Sequence, residues 1–348
     1  MNKEFFYELL RTESVSGCEI QLQKKVAAFM KAQGVRVQTD YTGNVLSSIN
    51  DESPFRVLLC GHADEIGFRV THITEQGYLR VSKAGGVPIS LVPNKRVTVL
   101  GRKRLIGVMG TLGCKSDMQT KPEFTDLFVD CGFQSREEAQ QFVRPGDSVT
   151  YTYTVDELQN DMIAGRGLDN RMGVYVVTHA LLKAKERGAK VAVTAASTVG
   201  EETTMRGAFW AGEAVKPNLA IAVDVTYATD YPGTNPAAYG DIAVGKGPVL
   251  SRCVHGNEPT YRALEEAAQR LDISVQYEVS GGTSGTDADR LNMSANGIPT
   301  AVVSIPLRYM HGPSEVGSLR DLDQAVDLLA EFLVSLDENF NLDPFALD

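Results

Sequence analysis

Four stretches of this chain are nearly unbroken apolar runs that stop at residues able to bind a metal or move a proton. "FRVLLCGH" ends at His62, "VAVTAASTVGEE" at Glu201 and Glu202, "NLAIAVD" at Asp224, and "AVVSIPLRYMH" runs on to His311. Apolar runs of this length read as strands buried on both faces, and the segments between them carry helical periodicity. Helices are expected from Asn170 to about Lys185, near 205–215, near 257–271 and from about Leu319, after two N-terminal helices broken at "SVSG". "VRVQTD" and "NVLSSIN" read as strands ahead of the first buried one. The alternation predicts an α/β fold, with a mixed, largely parallel sheet flanked by helices.

That rhythm is interrupted once. From about Gly67 to Asp161, short β-branched pieces such as "KRVTVLG", "RLIGVMG" and "DSVTYTYTV" alternate with Gly and Pro turns, the texture of a small all-β module. The expected division is an α/β domain made of residues 1–66 and 162–348, with residues 67–161 inserted as a β domain.

Composition narrows the function. With 34 basic against 44 acidic residues, a formal charge of −10 and no Lys/Arg-rich run, the chain lacks a phosphate-binding stripe, which argues against nucleic acid. Its amphipathic, charged N-terminus "MNKEFFYELLRTESVSG" and the lack of an apolar run of membrane-spanning length predict a cytoplasmic protein with no membrane contact. Cys18, Cys60, Cys114, Cys131 and Cys253 are scattered without a CxxC spacing and read as reduced, mostly buried thiols.

In open α/β sheets, ligands bind in the crevice beyond the carboxyl ends of the strands. His62, Asp64, Glu201, Glu202, Asp224 and His311 would therefore meet there, joined by Asp169 of "GRGLDNRMG" at a helix start. Each has a plain reading when taken singly: a strand-end histidine is commonly structural, Asp224 could cap a loop, and Glu201–Glu202 could be a solvated loop edge. Their joint occurrence at four strand ends favours a shared site. Two imidazoles and several carboxylates without a thiolate suit Zn²⁺, and also Co²⁺ or Mn²⁺. His72, His179 and His255 fall outside the pattern and read as structural, and Cys60 reads as a core thiol.

At these residues the chain resembles the tetrahedral, or TET, metalloaminopeptidases, a family of glutamyl and deblocking aminopeptidases that includes proteins once labelled endoglucanases. "GHADEIGF", "LDNRMG", "GEETTMRGA", "AVD", "GTDA" and "IPLRYMHGPSE" follow the family's motifs in order. The resemblance implies two divalent metal ions per chain. His62 and Asp224 would bind one, Glu202 and His311 the other, and Asp169 would bridge them. Glu201 would be the general base, and Asp64 would orient His62 through its second ring nitrogen. A cis peptide after Asp169, an interface or lid role for the β domain and a hollow homododecamer are also implied. The chain departs from the family at Gly312, usually Ser, and at Thr203 and Thr204, where an apolar residue with Gly is commoner; these bear on pocket shape, not on the ligands.

The function so implied is removal of N-terminal residues from short peptides by a metal-activated water. Alternatives are a carboxypeptidase or N-acyl deacylase on a similar dinuclear site, and a glycoside hydrolase using Glu201 and Glu202 as its acid pair, which would leave the histidines, Asp169 and Asp224 without a task. The "GGTSGTDA" loop lacks the Gly-Lys-Ser/Thr ending of a phosphate loop. Loops around Arg252, His255 and 281–287 are expected to form the specificity pocket, and Arg308 reads equally as an ion-pair partner near the metals or a strand-end charge. If the backbone is extended at Glu201–Glu202, the two side chains point to opposite sides and can divide the labour of base and ligand.

Overall fold

A computed structural model describes residues 1–111 and 123–345. Helices α1 (Lys3–Arg11) and α2 (Ile20–Ala32) lead into strands β1 (Arg36–Thr39), β2 (Val45–Ile49) and β3 (Arg56–His62). There follow β4 (Gly67–Ile73), β5 (Leu79–Ala84), β6 (Arg96–Leu100), β7 (Arg104–Thr111), β8 (Leu127–Asp130), a short helix α3 (Arg136–Gln140) and β9 (Ser148–Tyr151). After β10 (Val155–Glu157) and β11 (Met162–Gly165) come α4 (Leu168–Glu186), β12 (Ala192–Thr198), α5 (Arg206–Val215) and β13 (Leu219–Tyr227). The chain ends through α6 (Pro236–Tyr239), β14 (Val249–Arg252), α7 (Glu258–Arg270), β15 (Gln276–Val279), α8 (Ala288–Leu291), β16 (Thr300–Leu307), β17 (Glu315–Ser318) and α9 (Leu319–Ser335).

Eight strands form the main sheet in the order β1-β2-β12-β3-β13-β16-β14-β15. Its centre, β12-β3-β13-β16, is parallel, while β1, β2 and the β14–β16 pairing are antiparallel. The mixed, largely parallel sheet read from the apolar runs is therefore present. β3 is flanked by β12 on one side and β13 on the other, so successive crossovers diverge there and leave a crevice at its carboxyl end. His62 is the last residue of that strand.

Strands β4 to β9 close into an antiparallel barrel in the order β4-β5-β8-β7-β6-β9. Its apolar core, including Phe68, Val97, Met109, Leu127 and Val149, is separate from the main one, as expected for a β module with its own packing. β10 and β11 pair instead with each other and with β17 in a three-stranded sheet. Cys60 is fully buried among Leu58, Ala196 and Ala220, and the described cysteines are free thiols; Cys114 lies outside the described residues. No helix among the described residues is long and apolar enough to cross a membrane.

Two glycines set how closely α4 approaches the sheet. A methyl group on Gly61 of β3 would lie 2.5 Å from the carbonyl carbon of Gly173, and one on Gly173 would lie 2.5 Å from the carbonyl oxygen of Val223. These contacts are with backbone, which cannot rotate aside. Gly61→Ala is expected to lower the unfolding free energy by about 1–3 kcal/mol through overpacking. The comparison is Gly281→Ala, whose added methyl meets open space; equal thermal midpoints for the two variants would show that helix and sheet have room to part.

Candidate metal centre

The structure brings His62, Asp64, Asp169, Glu201, Glu202, Asp224 and His311 together at the carboxyl ends of the central strands. Asp169 stands between the two imidazoles: its Oδ1 lies 3.2 Å from His62 Nε2 and its Oδ2 lies 3.2 Å from His311 Nε2. On the His62 side stand Asp224 Oδ1 at 3.6 Å and Glu201 Oε2 at 3.7 Å from Nε2. Beside His311 Nε2 stands Glu202 Oε1 at 3.5 Å. One donor atom each from His62, Asp169 and Glu202 lie within 4.8 Å of one another, close enough to share an ion.

The donor set suits a cation. Glu202 Oε1 is buried without a hydrogen-bond partner, and the cluster holds no Lys or Arg within ion-pair distance of Asp169, Glu201, Glu202 or Asp224 among the described residues. Burial lifts the carboxyls of Glu201 and Asp224 above their ordinary range, and burial with the charge of Asp169 pushes Glu202 up to about 7. Asp169 moves the other way, since hydrogen bonds from His311 and His62 outweigh its burial. Burial also opposes charging of the imidazoles, yet the surrounding carboxylates win: His62 is raised well above its ordinary value and His311 is pushed up to about 12. Such a cluster stabilises positive charge at its centre.

A second layer holds these side chains. His62 Nδ1 donates to the main-chain carbonyl of Asp64 at 3.0 Å, which in the neutral ring leaves the Nε2 lone pair facing the cluster. The Asp64 carboxylate is farther from that nitrogen, at 3.5 Å. It instead accepts the backbone N–H groups of Glu201 (3.0 Å) and Glu202 (3.2 Å). The backbone there is not extended. Gly200, at φ 69°, turns the chain out of β12, and the amides of Thr204 and Met205 return to the Gly200 carbonyl, so both glutamates sit in a tight turn clasped by Asp64.

Motif reading did not single out Glu315, although it lies in the quoted "HGPSE". Its buried carboxylate accepts the backbone N–H of His311 at 2.9 Å and of Asp169 at 3.2 Å, fixing both main chains and holding His311 at φ 62°. The β module also approaches the cluster: methyl groups on Gly85 and Gly86, just after β5, would press on Glu202 and His311. The Asp169–Asn170 peptide is cis, as the resemblance implies. The regular part of α4 begins after Asn170, whose side chain accepts the Gly173 amide at 2.8 Å.

Other expectations resolve differently. Arg308 pairs with Asp230, and Arg252 with Glu258 and Glu265. His255 hydrogen-bonds Asp289 and Thr300. Neither Arg252 nor His255 lines the cavity of about 400 Å³ at the cluster, whereas Ser284, Gly285 and Thr286 of the glycine-rich loop do, together with Ser251, Glu278 and Ser304.

With this geometry in place, the comparisons with known proteins decide the family. The family model for M42 glutamyl aminopeptidases matches residues 43–328. The chain belongs to this family. It is an enzyme of the metallopeptidase type. A lysyl aminopeptidase of Pyrococcus furiosus is 32% identical over 343 residues, covering 96% of this chain and 97% of the relative. A TET aminopeptidase from a marine-sediment Thaumarchaeota archaeon superposes with a TM-score of 0.91 at 29% identity, covering 97% and 96% of the two chains. The TET1 peptidase of Pyrococcus horikoshii, described as able to assemble into a tetrahedron or a large octahedral shell, has a TM-score of 0.86 at 27% identity, with 96% and 99% covered.

Beneath the M42 site lies a buried ion-pair group. Glu65 is bound by Arg166 Nη1 at 2.6 Å and Arg171 Nη2 at 3.0 Å, and accepts the Ser14 amide at 3.0 Å. Burial would raise its pKa, but the two guanidinium charges hold it below the ordinary 4.5. A depressed carboxyl contributes stability that is fully present above its unfolded-state value and is lost as pH falls through the folded one. Glu65→Gln should therefore cost about 3–5 kcal/mol at neutral pH by stranding buried charge, with the deficit shrinking below pH 4.5. Denaturant titrations across that range are the check, and a pH-independent deficit would exclude ionised Glu65 as its source.

Proposed function

We propose that this protein is an aminopeptidase that removes N-terminal residues from short peptides at a dinuclear metal site. The observation that carries the reading is the two-sided placement of Asp169, with one carboxylate oxygen toward each imidazole. His62 and Asp224 would hold one ion, Glu202 and His311 the other, and Asp169 both. When bound, two divalent ions, Zn²⁺ foremost and Co²⁺ or Mn²⁺ as workable substitutes, supply Lewis acidity that polarises the scissile carbonyl and acidifies water.

Glu201 is the proton carrier in this reading. It stands beside His62 with its backbone held by Asp64, and burial raises its proton affinity above that of an exposed glutamate. It takes a proton from the attacking water and delivers it to the leaving nitrogen. Asp64 positions both glutamates through their amides. Glu201→Gln should retain metal and lose on the order of 10² to 10⁴ in turnover, the scale of general acid–base catalysis. Glu202→Gln should lose metal at one site. Metal content measured beside peptide turnover separates them; near-normal turnover in metal-loaded Glu201→Gln would rule it out as the base.

We assign residues 1–66 and 162–348 to the catalytic domain and 67–161 to an inserted interface domain that also lids the site, with β10, paired to β11, as the strand that returns the chain to the catalytic side. Gly85 and Gly86 against Glu202 and His311, and the exposed apolar Ile106 and Val108 on the barrel, support this. The proposed assembly is a homo-oligomer, a tetrahedral dodecamer by analogy with TET peptidases. Light scattering should report a mass many times that of the 37.8 kDa chain, and a monomer at micromolar concentration in physiological salt would defeat the assembly.

A further inference from the structure

The side chain of the first substrate residue must be recognised by whatever lines the cavity beyond the metal cluster. Here that lining includes a polar row across four strands, joined by register at its two ends and by a hydroxyl–hydroxyl bond between β16 and β14. Asp224 on β13 lies opposite Ser304 on β16, and Ser251 on β14 lies opposite Glu278 on β15. The Ser251 and Ser304 hydroxyls are 2.9 Å apart, and Ser251 donates to Glu278 Oε2 at 2.7 Å. Since the Ser251 proton goes to the carboxylate, Ser304 donates to Ser251, and both hydroxyls orient toward Glu278.

The spacing follows from the sheet. Neighbouring strands are about 4.8 Å apart, so β15 lies about 14 Å from β13. Glu278 reaches back one strand to Ser251, which leaves its carboxylate about two strand spacings, or about 10 Å, from the strand bearing Asp224. A substrate residue whose amine and carbonyl sit at the cluster can cover the remainder only with a long side chain, for which the four-carbon stem of lysine is suited. Val302 and Met310 offer that stem apolar contact within the same cavity.

Charge decides what should stand at its end. Glu278 has no Lys, Arg or His within ion-pair distance, and no Lys or Arg lines the cavity, among the described residues. An edge-strand glutamate is ordinarily just solvated surface. This one instead faces the cavity and accepts the proton of buried Ser251, whereas its strand neighbours Tyr277 and Val279 are exposed. A substrate carboxylate placed there would meet a like charge with no cation to relieve it, while a substrate cation would complete the pair.

We propose that Glu278 is a specificity-determining residue that selects peptides whose N-terminal residue is lysine or arginine, an inference that rests on the aminopeptidase reading above. The test uses metal-loaded enzyme with the 4-nitroanilides of lysine, arginine, norleucine and glutamate. Norleucine keeps the lysine stem without its ammonium. Wild type should favour lysine over norleucine in kcat/KM by about 10- to 100-fold, the value of a charge-assisted contact. Glu278→Gln should shrink that ratio by a similar factor, and Glu278→Lys should shift preference from lysine toward glutamate. Preference for a neutral or acidic residue in wild type, or an equal loss on every substrate in Glu278→Gln, would overturn the assignment. If none of the anilides is cleaved, the aminopeptidase reading fails by itself and calorimetry decides the pocket. L-lysine should bind wild type more tightly than L-norleucine and lose that advantage in Glu278→Gln, whereas equal binding to wild type would refute the role of Glu278.

Discussion

The side chains of Asp169, Glu201, Glu202 and Asp224 are packed out of water around His62 and His311, with no Lys or Arg among the described residues to balance them. Charge of one sign held out of water must be neutralised, either by protons or by a cation. Both imidazoles are driven toward the charged form here, and Glu202 toward its neutral one. These are responses to one electrostatic demand, and divalent ions would meet it without consuming the proton that Glu201 is proposed to move. The same demand explains why a second layer is needed, since groups that repel one another stay close only if their backbones are fixed.

That layer is built largely from main-chain hydrogen bonds. Asp64 clasps the amides of Glu201 and Glu202, Glu315 clasps those of His311 and Asp169, and Glu65 ties Ser14 to Arg166 and Arg171. Amide donors satisfy the hydrogen-bonding capacity of Asp64 and Glu315 and fix the main chain, while the two guanidinium groups also balance the charge of Glu65. The β module closes against the same place through Gly85 and Gly86, where the missing side chains let one unit approach the other's His311.

The mixed sheet carries this arrangement outward. Its register sets Asp224, Ser304, Ser251 and Glu278 on successive strands, so the distance from the proposed chemistry to the proposed recognition group is a multiple of strand spacing. Catalysis and selectivity can then vary independently, because substitutions on the outer strands β14 and β15 alter the far wall of the cavity without touching the cluster.

The sequence by itself determined the α/β rhythm, the inserted β texture and the set of residues at the strand ends. Those features are local: a buried strand must be apolar along its length, and motifs such as "GHADEIGF" and "GEETTMRGA" keep their order in the chain. Only the tertiary structure decided what Asp64 and Glu315 hold, because their partners are backbone amides, which leave no mark in side-chain patterns. It also decided that the Glu201–Glu202 backbone is a turn and not extended, since Gly200 at positive φ redirects the chain. Arg252 and His255 fell outside the cavity because Glu258, Glu265 and Asp289, contributed by other turns of the fold, hold them elsewhere. Glu278 entered it because sheet order, which no local pattern encodes, sets β15 beside β14 and so in line with Asp224.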